Sequence, residues 1–326
     1  MNAPADGMAR RSAGAFRKLI TQIELRMLLL TLVVMLVISA ISPHFRTLNN
    51  LLNLMDQSVV VGMVALGQTM VILIGGIDLS VGSLAGLTGI ILGLCFPSLG
   101  LYGAILACLA SGAVAGAING VITTFGRVAP FVVTLGMMSI GRSLAYVFSG
   151  ASSISNIPPG LGDLSNDTIL GFPLNFAILL AVYFLAWWFL TRAKGGRTLY
   201  AIGSNAAAAR VAGLSIALWS VLAYVLSGLM SAVSSIFLAS RILSIDPVGG
   251  TGLELDSIAA VVIGGTSLFG GRGSIIGTLF GVFIMVFIRN ALNLLGVSPY
   301  WQGTAIGSII IAAVLLERAL SSRGRH

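Results

Sequence analysis

The sequence predicts an all-α polytopic membrane protein of about ten transmembrane helices, with both termini on the cytoplasmic side. Three observations carry that expectation. Of 326 residues, 57% are apolar and only 9% charged, whereas soluble domains carry about a quarter charged residues. Apolar runs recur from Met27 to Leu316 with no polar stretch long enough to form a soluble domain. The basic residues gather in every second loop.

A bilayer core of roughly 30 Å needs about 20 helical residues to cross, and only helices or closed barrels satisfy their backbone groups in lipid. The runs are continuous rather than alternating, so helices are expected at 27–43, 59–74, 79–96, 101–123, 130–148, 173–190, 217–239, 257–271, 274–295 and 300–316. The transmembrane domain is thus 27–316, with a cytoplasmic loop at 192–216 and cytoplasmic tails at 1–26 and 317–326.

Orientation follows from charge, because Lys and Arg are retained on the cytoplasmic side. With the N-terminus inside, 14 of the 18 basic residues fall in cytoplasmic segments, among them Arg127, Arg192, Lys194, Arg197, Arg210 and Arg272. The outer loops hold only Arg46 and Arg241, and Arg142 and Arg289 lie within spans. The net charge of +8 forms no stripe, which argues against a nucleic-acid partner.

Arg10-Arg11 ahead of an apolar run resembles an export signal. The run from Met27 to Ile41 is long for one and lacks a convincing cleavage site, so a retained first helix is expected. Cys95, Cys108, His44 and His326 show no metal-ligand or disulfide spacing, and neither a metal nor a cofactor is expected.

Glycine is frequent, 41 residues, and recurs at Gly82, Gly86, Gly89; at Gly112, Gly116, Gly120; and at Gly273, Gly277, Gly281. Such faces let helices approach closely in lipid; hinges are the alternative. One internal echo is visible: Gly75-Gly76-Ile77-Asp78-Leu79-Ser80-Val81-Gly82 against Gly264-Gly265-Thr266-Ser267-Leu268-Phe269-Gly270-Gly271. It hints at two related halves.

The 192–216 loop joins charge, glycine breaks and a short helix that spans nothing. Its notable residues are Gly196, Arg197, Tyr200, Gly203, Asn205, Ala208, Ala209 and Gly213. Asn205 or Ser204 suits an N-cap, the alanines favour helix, and Gly213 suits a C-terminal stop. A small-residue face could dock into a soluble partner's groove; a plain connector is the other reading.

Asp78 follows the helix-breaking Gly75-Gly76. It is either the N-cap of a helix beginning at Leu79 or a substrate or gate contact at membrane depth. Arg142 and Arg289 should each face the bundle interior or snorkel; Arg142 could line a polar cavity with Asn119, while snorkelling is the first expectation for Arg289.

Four stretches carry a resemblance over most of the chain from about Leu48 to Leu316: Gly75 to Ser83, Pro130-Phe131-Val132-Val133-Thr134-Leu135-Gly136, Gly203 to Gly213, and Gly264 to Gly273. On these the chain resembles the permease subunits of ribose-type bacterial ABC sugar importers. The resemblance implies a multi-pass protein of the bacterial inner membrane that forms a path for a monosaccharide. Expected partners are an ABC ATPase subunit docking on the 203–213 helix, a periplasmic sugar-binding protein, a second permease copy or paralogue, and the lipid bilayer. Asp78, Asn119, Thr134 and Arg142 are the candidates for the path. One departure is Ala206, where the family usually has an acidic residue.

The chain lacks a Walker A loop, Gly-x-Ser-x-Gly and His-Glu-x-x-His, so no catalytic residue is expected and ATP hydrolysis falls to another chain. The alternatives are an ion-coupled secondary transporter, for which Asp78 is the single marginal carboxylate, a membrane enzyme, and an ABC permease for branched-chain amino acids.

Overall fold

The computed structural model describes residues 23–311 apart from Asn156, Pro158, Leu170, Pro299, Ile309 and Ile310. The tail at 317–326, most of the tail at 1–26 and the end of the span expected at 300–316 lie outside the described residues. In chain order the elements are α1 (Ile23–Ile41), a 3-10 turn (Pro43–Arg46), α2 (Leu48–Leu73), α3 (Val81–Phe125), α4 (Pro130–Ser149) and α5 (Pro159–Asn166). A two-residue antiparallel pair follows, β1 (Thr168–Ile169) and β2 (Phe172–Pro173). Then come α6 (Leu174–Arg192), α7 (Lys194–Ser204), α8 (Ala206–Val211), α9 (Ile216–Ile242), α10 (Leu253–Ile263) and α11 (Ile275–Leu294). Residues 300–308 are again helical.

Among the described residues, seven helices are long and apolar enough to cross a membrane. The longest, α3, is two legs. Gly100 takes φ 67° and ψ −177° and breaks the helix, a backbone setting open to glycine but strained for other residues. The chain folds back there, so that Asn119 on the second leg donates to Ser80 at the foot of the first, 2.9 Å away. The two legs correspond to the spans expected at 79–96 and 101–123.

Helix α2 is the centre of the bundle: 89% of its apolar window is buried, against 11% for α1. It begins at Leu48, well before the expected Val59, because its polar first turns find partners inside the protein. Asn50 exchanges amide hydrogen bonds with Asn290, Asn53 accepts from Arg241, and Asp56 accepts from Asn175. Apolarity alone could not register those turns as helix.

The span expected at 257–271 is corrected. Helix α10 has eleven residues, about 16 Å at 1.5 Å per residue, too short to cross alone. Gly264 and Gly265 end it in a tight turn. Upstream of it, residues 243–252 run without helix along the first leg of α3: Ile245 packs by Gly89 and Gly93, Pro247 by Gly86, and Gly250 by Gly82. The Gly82, Gly86, Gly89 stripe therefore receives an irregular chain segment. The other stripes do seat helices. Gly112, Gly116 and Gly120 face the backbone of α9 at Gly228, Tyr224 and Val221, and Gly277 and Gly281 face Gly264 and Ala260.

Candidate functional site

Residues 192–216 form two short helices. Asn205, extended at φ −161°, separates them and caps α8, its side chain accepting from the Ala208 amide at 3.0 Å. Gly213, at φ +75°, ends α8 with Leu214 N–H bonding back to Ala209 C=O. The expected cap and stop are both present. The amphipathic helix α7 ahead of them was not expected, since Gly195-Gly196 reads as a breaker. These glycines are helical because nothing larger fits: a methyl group at Gly196 would strike the backbone of Phe189 and Leu190, and one at Gly195 the Trp219 ring.

Helix α7 is fixed to the membrane bundle by backbone contact. Gly196, Thr198, Leu199 and Ile202 are buried, Arg197 is exposed, and Tyr200 donates to the Gly273 carbonyl at 3.0 Å. Gly203 sits against the Leu73 carbonyl and the Gly271 amide with no room for a side chain. Those two groups are hydrogen-bonded to each other at 2.9 Å. The end of α2, the 264–274 loop and the end of α7 thus meet at one point.

The internal echo is a shared turn. At Gly75 (φ +81°), Gly75 N–H bonds Ile72 C=O and Gly76 N–H bonds Val71 C=O; at Gly265 (φ +83°), Gly265 bonds Val262 and Thr266 bonds Val261. Both are helix-terminating motifs closed by a left-handed glycine, and the loop that follows the second, through Gly271, bonds to the end of the helix that precedes the first.

Asp78, Asn119 and Thr134 are brought together. Beyond Gly76 the chain is non-helical as far as Ser80, and helix α3 begins at Val81, not Leu79. The Asp78 carboxylate accepts from the Ser80 amide (2.9 Å), the Ser80 hydroxyl (2.6 Å) and the Ser227 hydroxyl (2.8 Å). Asn119 reaches the same Ser80 hydroxyl, and Thr134 donates to Ile77 C=O at 3.1 Å. Gln68, in the amide orientation that satisfies both its atoms, pairs with the Asp78 backbone at 3.0 and 3.2 Å. All of these side chains are buried. The cluster satisfies an unwound segment inside the bundle, where water cannot. Asp78 makes a turn contact with residue 80; it does not cap the helix as a true N-cap would.

Arg142 is elsewhere: it faces Glu254 at 3.9 Å, at the start of α10, and is 34% exposed. Arg289 does not depend on snorkelling, for it donates to the buried Asp256 at 2.8 Å. Sequence reasoning missed both acids. The signal was there: two arginines inside spans require counter-charges, and Glu254 and Asp256 are the carboxylates beside the eighth apolar run. In the loop, Ala208 is exposed as expected, whereas Ala209 is 4% exposed and packs inward, which corrects the expectation that both alanines are exposed. Helical spacing put both on one short helix without saying which side met the bundle.

A sequence model of the family described as branched-chain amino acid transport system, permease component, matches residues 50–314. The ribose import permease protein of Escherichia coli K12 is 41% identical over 299 residues, 90% of this chain and 93% of that protein. The ribose import permease protein of Bacillus subtilis is 40% identical over 293 residues, 89% of this chain and 91% of that one. The D-allose transport system permease protein of Escherichia coli K12 is 33% identical over 293 residues, 89% and 90%. No solved structure matches.

Proposed function

The chain belongs to the permease-component family that includes the ribose-type ABC importers, and from that membership we propose that it forms the membrane path of an ATP-driven monosaccharide importer. ATP hydrolysis and sugar capture are assigned to separate chains, an ABC ATPase and a periplasmic binding protein. Two copies, or one copy with a paralogue, would present two docking loops to an ATPase pair in the bacterial inner membrane.

The observation that carries the mechanism is the seat of Gly203 on the Leu73–Gly271 hydrogen bond. A force applied to α8 by a closing ATPase passes through α7, and at Gly203 it meets backbone on both sides. With no side chain to yield, the displacement goes into the end of α2 and into the loop that starts α11. Those helices flank α10 and the unwound segments, so the motion reaches the membrane interior as a rigid-body step. Asp78, Asn119 and Thr134 act within that scheme as a polar clasp that holds the 76–80 segment in place. Arg142 remains the path candidate that reaches the surface.

Sugar is favoured over a branched-chain amino acid because the ribose and allose permeases match along about nine tenths of both chains. Among the described residues, the acids Glu254 and Asp256 each face an arginine and Asp78 is held by Ser80 and Ser227, an arrangement unlike the carboxylate pair that ion coupling in a secondary transporter would use.

The test is reconstitution with a cognate ABC ATPase and periplasmic binding protein. ATP-dependent uptake of a monosaccharide is expected, with the ATPase co-purifying in detergent. Uptake that ignores ATP and collapses with the proton gradient would overturn the proposal. A binding protein that retains leucine but no sugar would transfer it to the amino-acid class.

A further inference from the structure

We infer that one lateral face of this chain, built by α4 and the start of α10, is lined by water and is the surface along which the sugar passes. The inference rests on the importer reading and names the residues that would touch the substrate.

Two independent observations point to it. Arg142 lies twelve residues beyond Pro130 in α4, about 18 Å along the helix at 1.5 Å per residue, within a helix long and apolar enough to cross a membrane. Its side chain is 34% exposed, its contact with Glu254 is long at 3.9 Å, and the second carboxylate oxygen of Glu254, buried against Gly82, has no hydrogen-bond partner among the described residues. A charged pair so poorly satisfied cannot face acyl chains, since ionisable groups at that depth turn to a bundle interior or a watery cavity. The second observation is backbone. The non-helical turn 247–252 leads directly into Glu254, and its Val248, Gly249 and Thr251 are exposed, although Gly250 packs beside Gly82 near the inner end of the first leg of α3. Irregular backbone within a membrane is tolerated where it is buried in protein or lines water, not where it meets lipid; Pro247 and Gly250 are buried against α3, and the exposed Val248, Gly249 and Thr251 require water.

The chemistry of the face suits a polyol. Ser139, Arg142, Ser143 and Tyr146 stand at i, i+3, i+4 and i+7, which puts them on one side of α4; Ser139, Ser143 and Tyr146 are exposed. Arginine and carboxylate offer donors and acceptors to adjacent hydroxyls, the serines offer both, and the tyrosine ring offers a flat apolar surface for the C–H face of a pyranose or furanose. Asp78, Asn119 and Thr134, fully buried, are not on this face.

The experiment uses the intact importer carrying C95A and C108A, with single cysteines at Ser139, Ser143 and, as a control on the exposed apolar side of α1, Leu36. A charged methanethiosulfonate reacts only with thiols in water. Ser139→Cys and Ser143→Cys should react at least about tenfold faster than Leu36→Cys, because reaction requires the thiolate, and their modification should block uptake. Arg142→Gln should lower the maximal rate of uptake by about tenfold, the loss expected for one charged hydrogen bond, with half-saturation, set by the binding protein, unchanged and the ATPase still co-purifying. Cysteines no more reactive than Leu36→Cys would overturn the inference, whether lipid or a second copy covers the face. Uptake by the cysteine-free importer keeps the two readings apart. Reactive thiols in membranes that accumulate no monosaccharide retain the aqueous face and refute the substrate; unreactive thiols in membranes that do accumulate it refute the face and retain the importer.

Discussion

The amide of Gly271 donates to the carbonyl of Leu73 over 2.9 Å, closing two distant parts of the chain on each other, and Gly203 lies against both atoms of that bond. Gly203→Ala places a methyl group on backbone that cannot step aside. Overpacking of this kind costs about 1–3 kcal/mol. The expected outcome is a permease that inserts and retains its ATPase but transports several-fold more slowly, measured as uptake per ATP hydrolysed; wild-type coupling in Gly203→Ala would remove this contact from the mechanism.

Asp78→Asn should keep the protein assembled and active. An amide oxygen can accept from Ser80, and the amide NH2 can donate to Ser227, whose hydroxyl rotates to receive it. Asp78→Leu leaves the Ser80 amide and hydroxyl without their acceptor, at about 1–3 kcal/mol for each buried group, and should lower the melting temperature in detergent. An assembled but inactive Asp78→Asn protein would show that charge, not hydrogen bonding, is what the position supplies.

Ala208→Glu and Ala209→Glu separate docking from folding. Ala208 is exposed, so its glutamate should leave the permease stable and abolish ATPase co-purification, since a charge forced into a partner's groove finds no counter-ion. Ala209 is buried, so its glutamate should unseat the loop itself and raise proteolysis near Arg210. If both variants retain the ATPase and full uptake, the loop is a connector.

Removing one member of the Asp256–Arg289 pair should destabilise more than removing both. Loss of one partner of a buried pair costs about 3–5 kcal/mol, and the partial exposure of Arg289 sets the expectation at the lower end. Thermal melts of Asp256→Asn, Arg289→Gln and the double variant give the cycle; additive losses would mean the two side chains act independently.

Topology is open to a direct test. A reporter joined after Ser165 should read external and one joined after Ser204 cytoplasmic, as the distribution of basic residues requires. The same answer at both positions would sink the assignment of inner and outer loops.

The helices and the loop caps were legible because they depend on local rules. Asn205 and Gly213 did what cap and stop residues do, and the apolar runs of α1, α4, α6, α9 and α11 appear within a few residues of their expected bounds. The eighth run misled because apolarity measures burial, and residues 257–262 are buried in protein rather than in lipid. The path candidates divided for a similar reason. Asp78 and Asn119 look alike to a hydropathy count, as a polar group in an apolar stretch, and so does Arg142; only tertiary packing separates a sealed clasp from an exposed surface. Ala209 turned inward for want of any sequence signal that distinguishes it from Ala208.

The irregular segment laid into the Gly82, Gly86, Gly89 groove also constrains how the molecule is made. Beyond a bridge between Ile245 and Ile154 and the bonds of tight turns, its backbone amides and carbonyls have no ladder of their own, and each one bare in hydrocarbon would cost several kcal/mol. It cannot leave the translocon as an independent element and wait in the lipid, as a complete helix can. The groove must already stand when residues 243–252 emerge, and the first leg of α3 is synthesised long before them. Vectorial synthesis therefore suits this fold, and a gene split between Ile242 and Leu253, with the second half expressed before the first, should yield two pieces that insert their helices and still fail to close on each other.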